Sequence, residues 1–164
     1  MDADGRGYTS DAAEAIVYAV DNGAHVINAS YGSTTPTDVE RDAIAYAAAH
    51  ETLIVAAAGN DHSNDDKQPV YPAAYPDANI ITVAATDEKD HLADFSNYGK
   101  KTVDLAAPGD GIGSTWEDGD YRYLSGTSMA APLVAAAAAM LRKHESAPVK
   151  TIRKRLLNNV DHKK

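Results

Sequence analysis

Short apolar runs alternate with segments of helical periodicity along this chain of 164 residues, and that order limits the folds open to it. Four runs have the length and composition of buried strands, at residues 25–30, 52–60, 79–86 and 102–109. Continuous apolar runs are typical of parallel strands that are covered on both faces by helices. The order therefore predicts an α/β fold with three layers and a mostly parallel sheet.

Capping signals predict where the first two helices begin and end. Ser10 is a suitable N-cap for a helix that Gly23 would terminate. Thr37 lies three residues before Glu40, which is the spacing of a capping box, and the second helix is expected to reach about His50.

The C-terminal third predicts a hairpin followed by two helices. Asp118-Gly119 is typical of a tight hairpin turn. A helix rich in alanine is expected to begin near Ser128, and an amphipathic helix near Pro148. Residues 160–164 are expected to form a frayed tail.

Composition excludes several classes of function. Fifteen basic and 24 acidic residues give a formal net charge of −9, which argues against nucleic acid or an anionic membrane as a partner. Because cysteine is absent, the chain has neither disulfides nor a thiol nucleophile. No run approaches the roughly 18 apolar residues of a membrane span, and the polar start MDADGRG is not a signal peptide.

Small polar residues follow three of the predicted strands. They are Asn28, Ser30 and Gly32, then Gly59 and Asn60, and then Ala107, Pro108 and Gly109. The carboxyl ends of parallel strands meet at one edge of the sheet, where ligands of such folds bind. We therefore expect these residues to converge on a functional site.

Ser128 has two readings on local grounds. A serine at the start of a helix is most often an N-cap. It could instead be a nucleophile, because unpaired backbone N–H groups and the helix dipole stabilise negative charge at that end of a helix. Gly126 and Thr127 before it would let a substrate approach closely.

The segment SGTSMAAPLVAAAAAML resembles the active-serine segment of the subtilases, the subtilisin-like serine proteases. HVINASYGS, LIVAAAGN, YPAAYPDANIITVAATD and FSNYGKKTVDLAAPG resemble further segments of that family in the same order. The resemblance covers about residues 5–160. It implies a subtilisin-like fold, hydrolysis of peptide bonds through an acyl-enzyme, a polypeptide substrate and an extracellular location.

The resemblance also implies roles for individual residues. Ser128 would be the nucleophile, and the Asn60 side chain would donate to the oxyanion, although a turn role for Asn60 is the alternative. The expected substrate-binding residues are Ser30, Tyr31, Gly32, Ala57, Ala58, Gly59, Ser125, Gly126 and Thr127. Of these, Ser30 to Gly32 would pair with the substrate backbone. Tyr31 replaces the usual leucine, and Tyr71-Pro72 corresponds to a cis peptide bond of the family.

The chain lacks the family's His-Gly-Thr and Asp-Thr/Ser-Gly segments, which carry the catalytic base and the carboxylate that orients it. None of the six histidines (His25, His50, His62, His91, His144, His162) is followed by Gly-Thr. Asp4-Gly5 and Asp118-Gly119 lack the intervening residue. Residues 1–164 thus resemble only the C-terminal part of a subtilase catalytic domain, and the isolated chain is expected to be inactive.

The absent half has a structural consequence. The family sheet has the strand order 2-3-1-4-5-6-7, and this chain would hold strands 4 to 7. The strand at residues 25–29 would then be an exposed edge that binds the missing N-terminal half or a second copy of the chain.

Two further points stay open on the sequence. No cofactor is expected to be required. Calcium is a possible structural ion at residues 64–67 or at the carbonyls of residues 73–78. For residues 64–67, the alternative is a solvated acidic loop without an ion. A non-catalytic homologue that binds peptides or self-associates is the alternative function.

Overall fold

A computed structural model describes residues 6–161 of the chain. Its elements, in chain order, are α1 (Thr9–Asp21), β1 (Val26–Ala29), α2 (Asp38–Ala49), β2 (Leu53–Ala57), β3 (Ile80–Thr86), β4 (Leu105–Pro108), β5 (Ile112–Thr115), β6 (Tyr121–Leu124), α3 (Thr127–Glu145) and α4 (Val149–Asn158).

Strands β1 to β4 form one parallel sheet in the order β1-β2-β3-β4. Val26 of β1 is paired with Leu53 of β2, and Val83 of β3 is paired with Leu105 of β4. The four predicted strands and their parallel arrangement are confirmed. Because all four run the same way, their carboxyl ends share one edge of the sheet.

The two faces of the sheet bury separate apolar cores. In β2, Leu53 and Val55 belong to the core on the α3–α4 side, whereas Ile54 belongs to the core on the α1–α2 side. All five residues of β2 are buried, as expected for a strand covered on both faces. The predicted three layers are therefore present.

Helix α3 crosses the sheet on a stripe of alanines. Ala130, Ala131 and Ala138 have no exposed surface. Methyl side chains on this face allow the helix to approach the strands closely, which brings its first turn to the carboxyl edge of the sheet.

Two helix starts and one capping interaction differ from the sequence-based expectation. Helix α1 begins at Thr9, with Tyr8 as the capping residue, so the prediction of Ser10 as N-cap is wrong. Helix α3 begins at Thr127 after Gly126, one residue before the predicted start. The Thr37 hydroxyl caps α2 by accepting from the backbone N–H of Glu40, but the reciprocal half of the capping box does not form, as described below.

The predicted hairpin and the predicted last helix are confirmed. Strands β5 and β6 form an antiparallel hairpin, and both Asp118 (φ 59°) and Gly119 (φ 82°) adopt the left-handed conformation at its turn. Helix α4 follows Pro148 and buries Ile152. Of the expected tail, residues 160 and 161 follow α4, whereas residues 162–164, like residues 1–5 with Asp4-Gly5, lie outside the described part of the chain.

Helices of the described part are too short or too polar to cross a membrane.

The packing of β2 generates a stability prediction. Ile54 has no exposed surface, so Ile54→Ala is expected to lower the free energy of unfolding by about 2–5 kcal/mol, through lost burial and the cavity that remains. Val39→Ala, on the exposed face of α2, is the control and is expected to change it by less than about 0.5 kcal/mol. Urea denaturation followed by circular dichroism measures both, and equal effects would contradict this description of the core.

Candidate active site

The ends of β1, β2 and β4 meet the first turn of α3. Gly126, which precedes α3, donates its N–H to the carbonyl of Gly109 at 2.8 Å. A Cβ atom on Gly109 would lie 2.5 Å from the Ala85 Cβ, so this close approach requires glycine. The predicted convergence of the strand ends is confirmed.

Ser128 is the second residue of α3, and its hydroxyl does not cap the helix. Its Oγ donates to the carbonyl of Ser30 at 3.3 Å. In return the Ser30 hydroxyl donates to the carbonyl of Ser128 at 2.9 Å, while Asn28 Nδ2 donates to the Ser30 Oγ at 2.9 Å. The Ser128 hydroxyl is thus directed at the segment that follows β1.

Pro132 explains why the Ser128 carbonyl is open to Ser30. In an α-helix that carbonyl would accept from the N–H of the residue four positions later, and here that residue is a proline without an N–H. The Ser30 hydroxyl supplies the missing donor. The proline inside α3 therefore does not leave a buried acceptor unpaired.

Thr127 fixes the orientation of the Asn60 side chain. Asn60 Oδ1 accepts from the Thr127 N–H at 2.8 Å and from the Thr127 hydroxyl at 3.0 Å. The same hydroxyl accepts from the Gly59 N–H at 3.0 Å. Two donors at Oδ1 define it as the oxygen, and Nδ2 then points away as a donor. Within residues 6–161, no hydrogen bond uses this Nδ2.

The predicted strand for substrate pairing has free backbone groups. Within residues 6–161, no hydrogen bond uses the N–H or C=O groups of Tyr31 and Gly32, whereas Ser33 exchanges two bonds of 2.8 Å with Tyr71. A groove of about 740 Å³ separates this segment from the start of α1. The Tyr71-Pro72 bond is cis, as the family resemblance implies.

The other predicted substrate-binding residues lie at the same edge with different exposure. Ala57 is 5% exposed, and Ala58 and Thr127 are fully buried, so their side chains present no surface to a ligand. Gly59 is half-buried with φ +120°, and Gly126 is buried. Ser125 is exposed, and its hydroxyl donates to Asp110 Oδ1 at 2.5 Å.

A buried carboxylate beneath Tyr31 was missed by sequence reasoning. Glu40 has no exposed surface, and the Tyr31 hydroxyl donates to its Oε1 at 3.1 Å. Burial raises the pKa of Glu40, and burial together with the nearby Glu40 raises the pKa of Tyr31. This contact replaces the second half of the predicted capping box. Glu40, in the first turn of α2, therefore also supports the segment after β1 through its bond with Tyr31.

No histidine in residues 6–161 forms a hydrogen bond with Ser128. The rings of four of them contact other residues: His25 contacts Gly23, His50 contacts Tyr46, His62 contacts Tyr98, and His91 contacts Asp87. His144 lies in the last turn of α3, and His162 is outside the described residues.

The acidic loop at residues 64–67 does not fit a calcium site. Asp66 accepts from the N–H groups of Lys100, Lys101 and Thr102 and from the Thr102 hydroxyl, bonds that hold its pKa below the usual range. Asp65 is turned into the protein. Residues 6–161 contain no group of three or more His, Asp or Glu side chains that could hold a metal ion. Calcium at the carbonyls of residues 73–78 stays a prediction.

A serine hydroxyl at a helix N-terminus, an oriented carboxamide beside it and an unpaired strand are the parts of a serine hydrolase site. The chain belongs to the subtilase family, since the sequence model of the Subtilase family (peptidase S8) matches residues 1–164.

Individual relatives agree with this assignment. The chain is 48% identical over 141 residues to a thermophilic serine proteinase of Bacillus sp. (strain AK1), covering 86% of this chain and 34% of the relative. It is 44% identical over 141 residues to thermitase of Thermoactinomyces vulgaris, covering 86% of this chain and 48% of the relative. A cold-adapted subtilisin-like serine proteinase of known structure superposes with a TM-score of 0.88 at 31% identity, over 96% of this chain and 57% of the other.

The chain spans about half the length of the relatives it matches, or less.

The buried Glu40 generates a prediction about pH. Its folded-state pKa is raised, so the folded state holds the proton more tightly than the unfolded state does. Its contribution to stability is therefore lost as pH rises from the unfolded pKa, about 4.3, through the folded pKa. Glu40→Gln should remove this fall, because the amide does not ionise and its oxygen can still accept from Tyr31.

Urea denaturation from pH 4 to pH 8 measures this effect. The stability of Glu40→Gln relative to the unmutated chain should increase with pH. Glu14→Gln, on the exposed face of α1, controls for the change in net charge. Parallel curves for Glu40→Gln and the unmutated chain would show that Glu40 does not titrate differently in the folded state.

Proposed function

We propose that this chain is the nucleophile-bearing part of a subtilisin-like serine endopeptidase, with Ser128 as the nucleophile. The single observation that carries the proposal is the joint placement of Ser128 and Asn60. The Ser128 hydroxyl is at the first turn of α3, and Thr127 directs the Asn60 Nδ2 outward as a donor. Membership of the subtilase family supports the same assignment.

The proposed reaction uses these groups in sequence. Ser128 Oγ attacks the carbonyl carbon of the scissile peptide bond and loses its proton to a histidine supplied from outside this chain. Asn60 Nδ2 and the Ser128 N–H donate to the oxyanion that develops. The same proton then goes to the departing amine, which leaves an acyl group on Ser128 for hydrolysis by water.

Substrate binding would use the segment after β1. The backbone N–H and C=O groups of Tyr31 and Gly32 are unpaired in the described residues, which supports pairing of residues 30–32 with a polypeptide. Gly59, Ser125 and Gly126 border the same edge, while Ala57 and Ala58 contribute through their backbone.

We also propose that the segment carrying the catalytic Asp and His covers β1 and α3. In the described residues β1 pairs only with β2, which leaves its outer edge unpaired. On α3, the exposed residues include Pro132, Ala136, Ala139 and Met140, the last 65% exposed. An apolar helix face beside a free strand edge supports a docking partner, and a second copy of the chain is the alternative occupant.

A non-catalytic peptide-binding module is the second candidate function. It is favoured by the lack of a histidine bonded to Ser128 in residues 6–161 together with the free strand at Tyr31 and Gly32. An extracellular location and a structural calcium ion at residues 73–78 are further parts of the proposal that follow from the family resemblance.

Covalent labelling separates the two functions. A fluorophosphonate should label the isolated chain negligibly, because no histidine in residues 6–161 is hydrogen-bonded to Ser128. It should label the chain rapidly once a segment carrying the family's Asp and His motifs is added. Ser128→Ala should abolish the labelling. Failure of the complemented chain to react would favour the binding module, and rapid labelling of Ser128 in the isolated chain would contradict the missing base.

A charge on the α3 face tests the docking surface. Met140→Glu should weaken binding of the Asp- and His-bearing segment by about tenfold or more, because a carboxylate would be buried without a partner. Tyr18→Glu, at a residue 71% exposed on the other face of the sheet, is the matched control and should not. Isothermal titration calorimetry measures both. A chain that stays monomeric at high concentration and does not bind the segment would exclude both occupants.

A further inference from the structure

We propose that Asn97 is a positioning residue for catalysis, which holds the backbone on both sides of Asn60 while Asp65 fixes the orientation of the Asn97 amide. This inference rests on the proposed role of Asn60 in oxyanion binding. The sequence analysis assigned neither residue a role in catalysis: Asn97 lies between β3 and β4, within the segment FSNYGKKTVDLAAPG, and Asp65 lies in the loop after β2.

The Asn97 side chain and backbone together hold the loop that carries Asn60. Asn97 is fully buried, and its Oδ1 accepts from the N–H groups of Asp61 at 2.9 Å and Ser63 at 3.1 Å. Its backbone N–H donates to the Gly59 carbonyl at 2.9 Å, and Nδ2 donates to the Ala58 carbonyl at 3.2 Å. Asn97 therefore bonds the chain on both sides of Asn60, with Gly59 held by its backbone and Ala58 and Asp61 by its side chain.

Gly59 shows how closely this clamp is fitted. A Cβ atom on Gly59 would lie 2.4 Å from Asn97 Nδ2, and the residue has φ +120°, which side chains rarely allow. The absence of a side chain at Gly59 thus lets the Asn97 amide reach the backbone. This fit needs a buried amide at position 97.

Asp65 defines which way the Asn97 amide faces. Asp65 is 2% exposed, and its Oδ1 accepts from Asn97 Nδ2 at 2.9 Å and from the Ser63 hydroxyl at 3.4 Å. The other oxygen, Oδ2, is buried without a hydrogen-bond partner in the described residues. Because Asp65 is a buried acceptor, it favours the amide orientation in which Asn97 Nδ2 faces Asp65. Asn97 Oδ1 then faces the N–H groups of Asp61 and Ser63.

Burial of this carboxyl group is unfavourable for its charged form. Burial, with smaller contributions from Asp61 and Asp66, raises the pKa of Asp65 to about 6. Asn97 Nδ2 and the Ser63 hydroxyl both donate to this carboxyl group, and the bond from Asn97 is the shorter of the two. The Asp65–Asn97 pair and Thr127 then act on Asn60 separately, the pair through the backbone and Thr127 through the side chain.

Asn97→Asp is the variant that tests this arrangement. It keeps the size of the side chain but turns the Nδ2 donor into an oxygen facing the Ala58 carbonyl and Asp65 Oδ1. Combining it with Asp65→Asn restores a donor–acceptor pair between the two positions with the roles exchanged. Asn64→Asp is the control. It makes the same change of residue type in the loop that carries Asp65, and its Oδ1 can still accept from the backbone N–H of Asp66.

Fluorophosphonate inactivation of the chain complemented with the Asp- and His-bearing segment gives the functional result. Asn97→Asp should lower the inactivation rate constant with little change in the concentration for half-maximal rate. The upper bound is the loss caused by Asn60→Ala, about 10²–10³-fold in the subtilisin family itself. The exchanged pair should recover part of the rate, because it restores the bond between positions 65 and 97 but not the bond to the Ala58 carbonyl. Asn64→Asp should not reduce the rate.

A double-mutant cycle separates positioning from a general effect on folding. If Asn97 acts through Asn60, Asn97→Asp should cost nothing further in the Asn60→Ala background. The inference would be overturned if the losses in rate constant from Asn97→Asp and Asn60→Ala multiplied in the double variant. It would also be overturned if Asn60→Ala lowered the rate constant and Asn97→Asp did not. Both outcomes would leave the proposed function intact. Unchanged labelling in Asn60→Ala itself would overturn the proposed role of Asn60 and the inference with it.

The chain alone provides a second readout. Hydrogen exchange by NMR should be faster at the Asp61 and Ser63 amides in Asn97→Asp, and restored in the exchanged pair. Uniform loss of protection across β2 and β3 would indicate unfolding and count against a local positioning role.

Discussion

The reciprocal hydrogen bonds between Ser30 and Ser128 join the end of β1 to the first turn of α3. Every other part of the site is placed relative to this junction. Asn60 reaches α3 through Thr127, and Gly109 reaches it through Gly126. The parallel sheet brings these strand ends to one edge, and the alanine stripe of α3 lets the helix lie against them.

Small residues and buried polar groups have different structural roles at this edge of the sheet. Glycine is required where backbone passes close to other atoms, as at Gly109 and Gly59. Long-range hydrogen bonds then define the conformation that the small residues permit. Glu40 supports the strand after β1 through Tyr31, and Asn97 supports the loop after β2. Glu40 lies in α2 and Asn97 in the loop between β3 and β4, and neither is among the residues proposed to contact a substrate.

The parallel sheet was predictable because continuous apolar runs have few alternatives to strands buried on both faces. Ser128 and Asn60 were predictable as candidates because short motifs surround them. The capping roles of Ser10 and Glu40 were predicted less well, because capping rules consider only local bonds. Tyr8 precedes α1 in place of Ser10, and Glu40 accepts from the hydroxyl of Tyr31 in another segment. The role of Asn97 could not be predicted from its segment FSNYGKKTVDLAAPG, because the bonds that reveal it join residues distant in the chain.

Pro132 gives the start of α3 an unusual dependence on the sheet. A helix ordinarily satisfies its own carbonyl groups and can form or fray without reference to its neighbours. Here the Ser128 carbonyl is satisfied by a hydroxyl from the end of β1. Detachment of the helix from the strand would leave that acceptor to water, so the first turn of α3 and the end of β1 form one cooperative unit that is gained or lost together.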